Sequence, residues 1–251
     1  MSLTQDILKR KLARRFRYYQ SVDSTNNLAK TWLLEGAPDG VLVIADEQVR
    51  GRGRRDRVWH SPPGAALALS LILKPDEANL ALVNMVGALS VYDLARQVGC
   101  DDAGIKWPND VQVNGKKVSG ILVENVWEND RLVGVVLGIG LNVRVDFLGT
   151  KLQDLAISLE DVTQARLDRA ELLRNLLQRI DYWYRMKPDE VFRAWKKRLN
   201  MLGKRVTAEG VSGVALDVTP AGALLVKCDA GEVRQVYAGD ISVADGPGSV
   251  K

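Results

Sequence analysis

Apolar and polar positions fall in blocks along this chain, and the blocks mark its elements. From Leu3 to Phe16 the residues Ile7, Leu8 and Leu12 share one side of an otherwise basic segment, which predicts a short amphipathic helix. Arg17 to Val22 reads as a strand. The capping run Asp23-Ser24-Thr25-Asn26-Asn27 precedes the helical set Leu28, Ala29, Trp32 and Leu33, and Gly36 and Pro38 close that helix. Gly40 to Gln48 and Ala66 to Leu73 are short apolar runs, the pattern of buried strands. The first of them delivers Asp46, Glu47 and Gln48 to a sheet edge.

Glu77 to Val98 predicts a helix with Leu80, Val83, Val86, Leu89, Leu94 and Val98 on its core face. Asn114-Gly115 between alternating apolar residues signals a hairpin. Leu132 to Val143 reads as a further buried strand carrying Gly134, Gly138 and Gly140, and glycines inside a strand often mark close backbone approach. Val162 to Arg185 and Pro188 to Leu199 predict helices. After about Leu202 the helical pattern stops. Lys204 to Ala244 shows short strands broken by Glu209-Gly210, Ser212-Gly213, Pro220-Ala221-Gly222 and Asp229-Ala230-Gly231. The expected fold is therefore α+β, with a mixed sheet flanked by helices over residues 1–200 and a small SH3-like β-barrel over 201–251.

Composition narrows the function. The 251 residues are 46% apolar and 26% charged, enough for a packed core. A net charge of +4 favours anionic ligands without implying nucleic acid. Two distant cysteines, Cys100 and Cys228, make neither a disulfide framework nor a metal cluster and fit a reducing cytoplasm. The single histidine, His60, argues against a multi-histidine metal site. The charged N-terminus is unlike a signal peptide, and no apolar run approaches the ~20 residues of a membrane span.

The candidate chemistry lies in two stretches. Val49 to Arg57 packs five arginines and two glycines into nine residues. Arginine forks its donors toward carboxylate or phosphate, and glycine lets backbone approach a ligand. A solvated basic turn has the same composition, but this segment is pinned between two expected strands. The second stretch is Lys106-Trp107-Pro108-Asn109-Asp110. A lysine fixed where a strand ends can stabilise negative charge during group transfer, and Asn109 and Asp110 can supply oxygens to Mg²⁺. There is no GxxxxGK[ST] loop and no kinase signature.

Taken in order, Asp23-Ser24-Thr25-Asn26, Gln48 with Gly51-Arg52-Gly53-Arg54-Arg55 and Trp59, Lys106 to Asp110, Lys117-Val118-Ser119-Gly120-Ile121-Leu122-Val123-Glu124 and Gly138 to Val143 resemble the biotin protein ligase family. The resemblance spans about half the chain directly. It implies a class II synthetase-like catalytic sheet and a two-step reaction. Biotin and MgATP give biotinyl-5′-AMP and pyrophosphate, and a lysine of a biotin carboxyl carrier protein then displaces AMP.

The resemblance also implies roles. Ser24, Thr25, Asn26 and Gln48 would hold biotin, the ureido ring meeting Ser24, Thr25, Gln48 and backbone near Arg52. Arg52, Gly53 and Arg54 would close over biotin and the phosphates, with Arg55 and Asn109 also on the nucleotide side. Trp59 would belong to the adenine pocket, and Lys106 would contact the biotin carboxylate and the α-phosphate. Gly120, Leu122 and Asn142 would border the ligands, Asn142 near Mg²⁺. Lys106 and Arg54 would be the catalytic residues.

Two departures stand out. Only 23 residues precede Ser24, where bifunctional relatives carry a winged-helix domain, so no DNA binding is expected. Asp56 stands where the family pattern has glycine and could pair with a neighbouring arginine. Ligand-linked homodimers occur in the family, and no membrane partner is expected. Two alternatives stay open on sequence grounds: a lipoate ligase of related architecture, and a nucleic-acid-binding module using the Arg/Gly loop.

Overall fold

In the computed structural model, which describes residues 3–237 and 239–243 and only the backbone of Asp56, the chain opens with helix α1 (Gln5–Lys11), whose Thr4 hydroxyl caps Ile7 N. Strand β1 (Phe16–Val22), helix α2 (Thr25–Leu34) and strand β2 (Leu42–Arg52) follow. A short 3-10 turn at Arg54–Asp56 leads into β3 (Val58–Ser61) and β4 (Ala66–Leu73). Helix α3 (Leu80–Gln97) precedes four strands, β5 (Ala103–Lys106), β6 (Asp110–Val113), β7 (Lys116–Glu128) and β8 (Arg131–Asn142). Helices α4 (Leu159–Thr163), α5 (Arg169–Tyr184) and α6 (Pro188–Arg198) complete this part. Strands β9 (Arg205–Ala208), β10 (Val211–Val218), β11 (Leu224–Cys228), β12 (Val233–Val236) and β13 (Ile241–Val243) form the C-terminal part.

The large sheet runs β1-β2-β4-β8-β7-β6-β5, with β3 paired to β2. The β1–β2 pair is parallel and the others are antiparallel, so the sheet is mixed. Strand β4 is buried along its whole length because the sheet is covered on both faces. Val43, Ile72 and Val136 point to α2, where Ala29, Trp32 and Leu33 meet them. Their neighbours Leu42, Ile44, Leu71 and Leu137 point the other way, into the cluster with Val86 and Leu89 of α3 and Leu173 of α5. Strand side chains alternate between faces, so covering both faces turns the usual apolar–polar alternation into a continuous apolar run.

The second sheet is antiparallel, in the order β12-β11-β10-β9-β13. Its inner residues Val206, Ala208, Ala215, Leu224, Val226 and Ile241 join the main core. The Trp107 indole N–H donates to Gly222 O at 2.8 Å, which ties the small sheet to the strand end that carries Lys106.

Four expectations change. The first helix stops at Lys11, and Leu12 is already extended. The region Val162–Arg185 is not one helix: Gln164 ends α4 in the left-handed region, and the Asp168 carboxylate starts α5 by accepting from Ala170 N and Glu171 N. Strand β2 runs on to Arg52, and β3 pairs with it, so the unpaired part of the arginine segment shrinks to Gly53–Arg57. The stretch Glu77–Gln97 is long and apolar enough by composition to cross a membrane, but its apolar residues Val83, Val86, Leu89 and Leu94 are core residues packed against the sheet.

One buried ion pair anchors the helices to the sheet. Arg169, fully buried at the start of α5, places its guanidinium 2.6 Å from Asp46 Oδ1 and donates to Ala66 O at 3.0 Å. Asp46 therefore serves the core, not a ligand, and β2 lies inside the sheet rather than at its edge. Arg169→Met should lower stability by about 3 kcal/mol in urea denaturation, because it leaves the largely shielded Asp46 carboxylate without its partner. Lys11→Met, which breaks the exposed Lys11–Glu171 pair, should cost at most about 1 kcal/mol.

Candidate active site

A cavity of about 430 Å³ lies against β7 and β8, between the first turn of α2, the β2–β3 hairpin and the β5–β6 turn. It gathers side chains from distant parts of the chain. Ser24, Thr25 and Asn26 come from the start of α2, and Gln48 and Arg52 from β2. Gly53 and Arg54 come from the loop and Trp59 from β3. Lys106 and Asn109 come from the β5–β6 turn, Gly120 and Leu122 from β7, and Asn142 from β8. Arg55 is the expected residue that does not line it. That residue sits at φ 55°, and its guanidinium pairs with Glu209 of the C-terminal sheet at 2.6 Å. The Asp56 side chain, with its suggested arginine pairing, lies outside the described residues.

The polar corner is built by α2 and β2. Ser24 occupies the N-cap position of α2 yet makes no side-chain cap bond, so its hydroxyl is not spent on the helix. Gln48 Oε1 accepts from Thr25 N at 2.8 Å and lies 3.0 Å from Thr25 Oγ1. Behind this layer, Ser70 Oγ lies 2.8 Å from Thr25 Oγ1 and 2.6 Å from Asn26 Oδ1. Glu124 then meets Asn26 Nδ2 at 2.8 Å, Lys30 Nζ at 2.9 Å and Arg52 at 3.2 Å. Burial pushes the Glu124 carboxyl up, but the bonds from Asn26 and Lys30 and the charges of Lys30 and Arg52 outweigh it, and the net shift is downward.

The cationic part is built by the loop and by β5 to β7. Arg54 Nη1 donates to Asn109 Oδ1 at 3.2 Å and to Gly239 O at 3.4 Å. Burial draws its pKa down. Arg55 and Arg57 add to that effect, and Asp240 and Asp110 oppose it. A second lysine, Lys117, stands 2.7 Å from Asp110 Oδ1, a close ion pair with poor hydrogen-bond alignment, and 5.5 Å from the centre of the Trp59 ring. Lys106, half-buried at the end of β5, has no ion-pair partner among the described residues. Asn109 is held at both ends of its amide, since its Nδ2 donates to Ile121 O at 2.6 Å and its Oδ1 accepts from Arg54. The Asn142 Nδ2 donates to Lys117 O and Ile157 O, which leaves Oδ1 as its free acceptor.

Two glycines make this geometry possible. A Cβ at Gly140 would lie 2.3 Å from Trp59 Cε2, so the indole rests directly on the bare β8 backbone. A Cβ at Gly138 would lie 2.1 Å from Asn26 Oδ1. The residues that sequence reasoning missed are Lys117, Ser70, Glu124, Glu209 and Asp240. Lys117 and Glu124 sat within a quoted motif without a role. Ser70 carried a signal as the one hydroxyl in ALALSLIL. Glu209 and Asp240 are far away in sequence and carried none.

Residues 18–142 match the Biotin/lipoate A/B protein ligase family, and residues 201–243 match the Biotin protein ligase C terminal domain. The chain is 34% identical over 241 residues to the bifunctional ligase/repressor BirA of Bacillus spizizenii, covering 90% of this chain and 73% of that one. It is 35% identical over 233 residues to the biotin–[acetyl-CoA-carboxylase] ligase of Paracoccus denitrificans, covering 85% and 94%. Among solved structures, the biotin protein ligase of Aquifex aeolicus in complex with biotin and ATP superposes with a TM-score of 0.79 at 29% identity, covering 93% of this chain and all of that one.

The glycine–indole contact gives a direct check. Gly140→Ala should push the Trp59 ring off β8 and weaken ATP binding at least about tenfold by calorimetry, with the far-UV circular dichroism unchanged. Unaltered ATP affinity would show that the indole position does not matter for that ligand.

Proposed function

The chain belongs to the biotin/lipoate A/B protein ligase family and is a biotin protein ligase, and we propose that it uses ATP to join biotin to a lysine on the biotin carboxyl carrier domain of acetyl-CoA carboxylase. The observation that carries this reading is a single cavity with two chemistries. It holds a neutral hydrogen-bonding corner, Ser24, Thr25 and Gln48, and a cluster of cations, Arg54, Lys106 and Lys117, beside the flat Trp59 ring. A ligand with a polar uncharged head and an acidic tail suits the first part and a nucleotide suits the second.

The reaction explains the cations. The biotin carboxylate attacks the α-phosphorus of ATP and pyrophosphate leaves, so two anions must approach. Positive side chains fixed beforehand lower that barrier, each tenfold in rate amounting to about 1.4 kcal/mol. The carrier lysine amine then attacks the acyl carbon of the mixed anhydride, and AMP leaves. We assign charge stabilisation to Lys106, supported by its lack of an anionic partner among the described residues; Lys117, beside Trp59 but already paired with Asp110, is the secondary candidate. Arg54 covers the adenylate from the loop, which keeps water from the reactive anhydride. The polar side chains fit a Mg²⁺ ion held mainly by phosphates: Asn142 offers Oδ1, no cluster of three His, Cys, Asp or Glu occurs among the described residues, and such an ion, when bound, neutralises phosphate charge.

The two alternatives weaken on separate grounds. A lipoate ligase does not account for the match of residues 201–243 to the Biotin protein ligase C terminal domain. A nucleic-acid module needs an open basic face, whereas Arg54, Arg55 and Arg57 bond to Asn109, Glu209 and Asp240. A cytoplasmic setting rests on the two unpaired cysteines. The free outer edge of β1 is where a second copy could add in a homodimer.

The deciding experiment is ATP–pyrophosphate exchange with and without biotin, followed by mass spectrometry of an added carrier domain. Lys106→Ala should abolish the exchange with the fold intact, and normal exchange by that variant would sink its catalytic role. Arg54→Ala should release biotinyl-AMP into solution, detectable by chromatography; full retention of the intermediate would remove the lid role.

A further inference from the structure

Behind the polar corner lies a chain of hydrogen bonds whose direction can be worked out. Asn26 Nδ2 faces Leu122 O at 3.3 Å and Glu124 Oε2 at 2.8 Å. Both are acceptors only, so the Asn26 amide cannot be turned the other way. Asn26 Oδ1 therefore faces Ser70 Oγ at 2.6 Å, and the proton between them comes from Ser70. Ser70 has one proton, so its 2.8 Å contact with Thr25 Oγ1 is filled by the Thr25 proton. The other acceptor within reach of that proton is Gln48 Oε1, at 3.0 Å. Ser70 is the nearer of the two and Gln48 Oε1 already accepts from Thr25 N, so the Thr25 proton goes to Ser70 and its oxygen faces the cavity as an acceptor. Gln48 Oε1 is likewise occupied by Thr25 N, and Gln48 Nε2 has no protein acceptor among the described residues.

We propose that Ser70 and Glu124, neither of which lines the cavity, are positioning residues that fix the hydrogen-bond polarity of this corner and so make it selective for a cyclic urea. The corner then offers an acceptor at Thr25 and a donor at Gln48, the complement of a ligand that sets an N–H beside a carbonyl. This rests on the biotin reading and deepens it. The carboxylate of Glu124 is the fixed end of the chain: it is the nearer of the two acceptors that hold the Asn26 amide in this orientation. Its downward-shifted pKa keeps it an anion at neutral pH. The site of Ser70 supports the same role. It is fully buried in β4, where a hydroxyl must be paired, and its removal would take away only one oxygen.

The test uses biotin and its two cyclic-carbamate analogues, in which one ureido N–H is replaced by oxygen, in ATP–pyrophosphate exchange by the full chain. A site built to pair a ligand N–H rejects the analogue lacking it, here by at least about 100-fold in kcat/KM for the wild type. Ser70→Ala and Glu124→Gln should each raise the KM for biotin about tenfold, keep kcat within about twofold, and cut the preference for biotin over the less favoured carbamate at least about tenfold. Because the preference is a ratio measured within each variant, partial loss of folded protein does not move it. An unchanged preference in both variants, or a loss falling on kcat with KM unaltered, overturns the positioning role while leaving the biotin reading in place. Absence of biotin-dependent exchange in the wild type removes both.

Discussion

Close approach to bare backbone is the constraint on which this site depends. At Gly138 and Gly140 the β8 strand has no side chain on the face toward the cavity, and Asn26 and Trp59 take the space that a Cβ would fill. Those two contacts set the depth of the cavity. Asn26, seated on Gly138, reaches Ser70 and Glu124, and through them the polar corner is fixed. Trp59, seated on Gly140, holds its ring beside Lys117 and Asp110. Strand β8 can carry both because its other residues, such as Leu137, Ile139 and Leu141, are locked in the core.

The loop arginines are then set on a rigid base. The loop that carries Arg54 is short, because β2 and β3 pair up to Arg52 and Val58. Its arginines are not loose: Arg54 reaches Asn109 and Gly239 O, Arg55 reaches Glu209, and Arg57 reaches Asp240. The last two pairs are largely exposed to water. Ion pairs of that kind are worth little each, so they hold a loop without locking it.

Much of the fold could be read from periodicity, and the reasons for the exceptions are physical. The double-faced burial of β4 is visible as an unbroken apolar run, and the β6–β7 hairpin announced itself in Asn114-Gly115. Helix α5 began later than its pattern suggested because a single carboxylate, Asp168, captured two backbone N–H groups. Most of the cavity lining was legible because the family motifs place it there. Arg55 lies off the cavity because neighbours on a tight turn point in different directions. Asp46 looked like part of a polar strand end, and only the tertiary fold could reveal its partner Arg169, 123 residues away. Ser70 was hidden by the apolar residues around it, although a lone hydroxyl in a buried strand has to bond to something.

The indole hydrogen bond from Trp107 to Gly222 O bears on how the two parts of the chain can vary. Trp107 follows Lys106 directly, so one wall of the cavity takes its position from a turn in the C-terminal sheet. That sheet is therefore not an interchangeable module. A domain grafted from a distant homologue would have to present a carbonyl at the same point in space, or the strand end bearing Lys106 would lose its rest. Such a graft would also have to keep Glu209 and the Gly239–Asp240 segment, which hold the arginine loop.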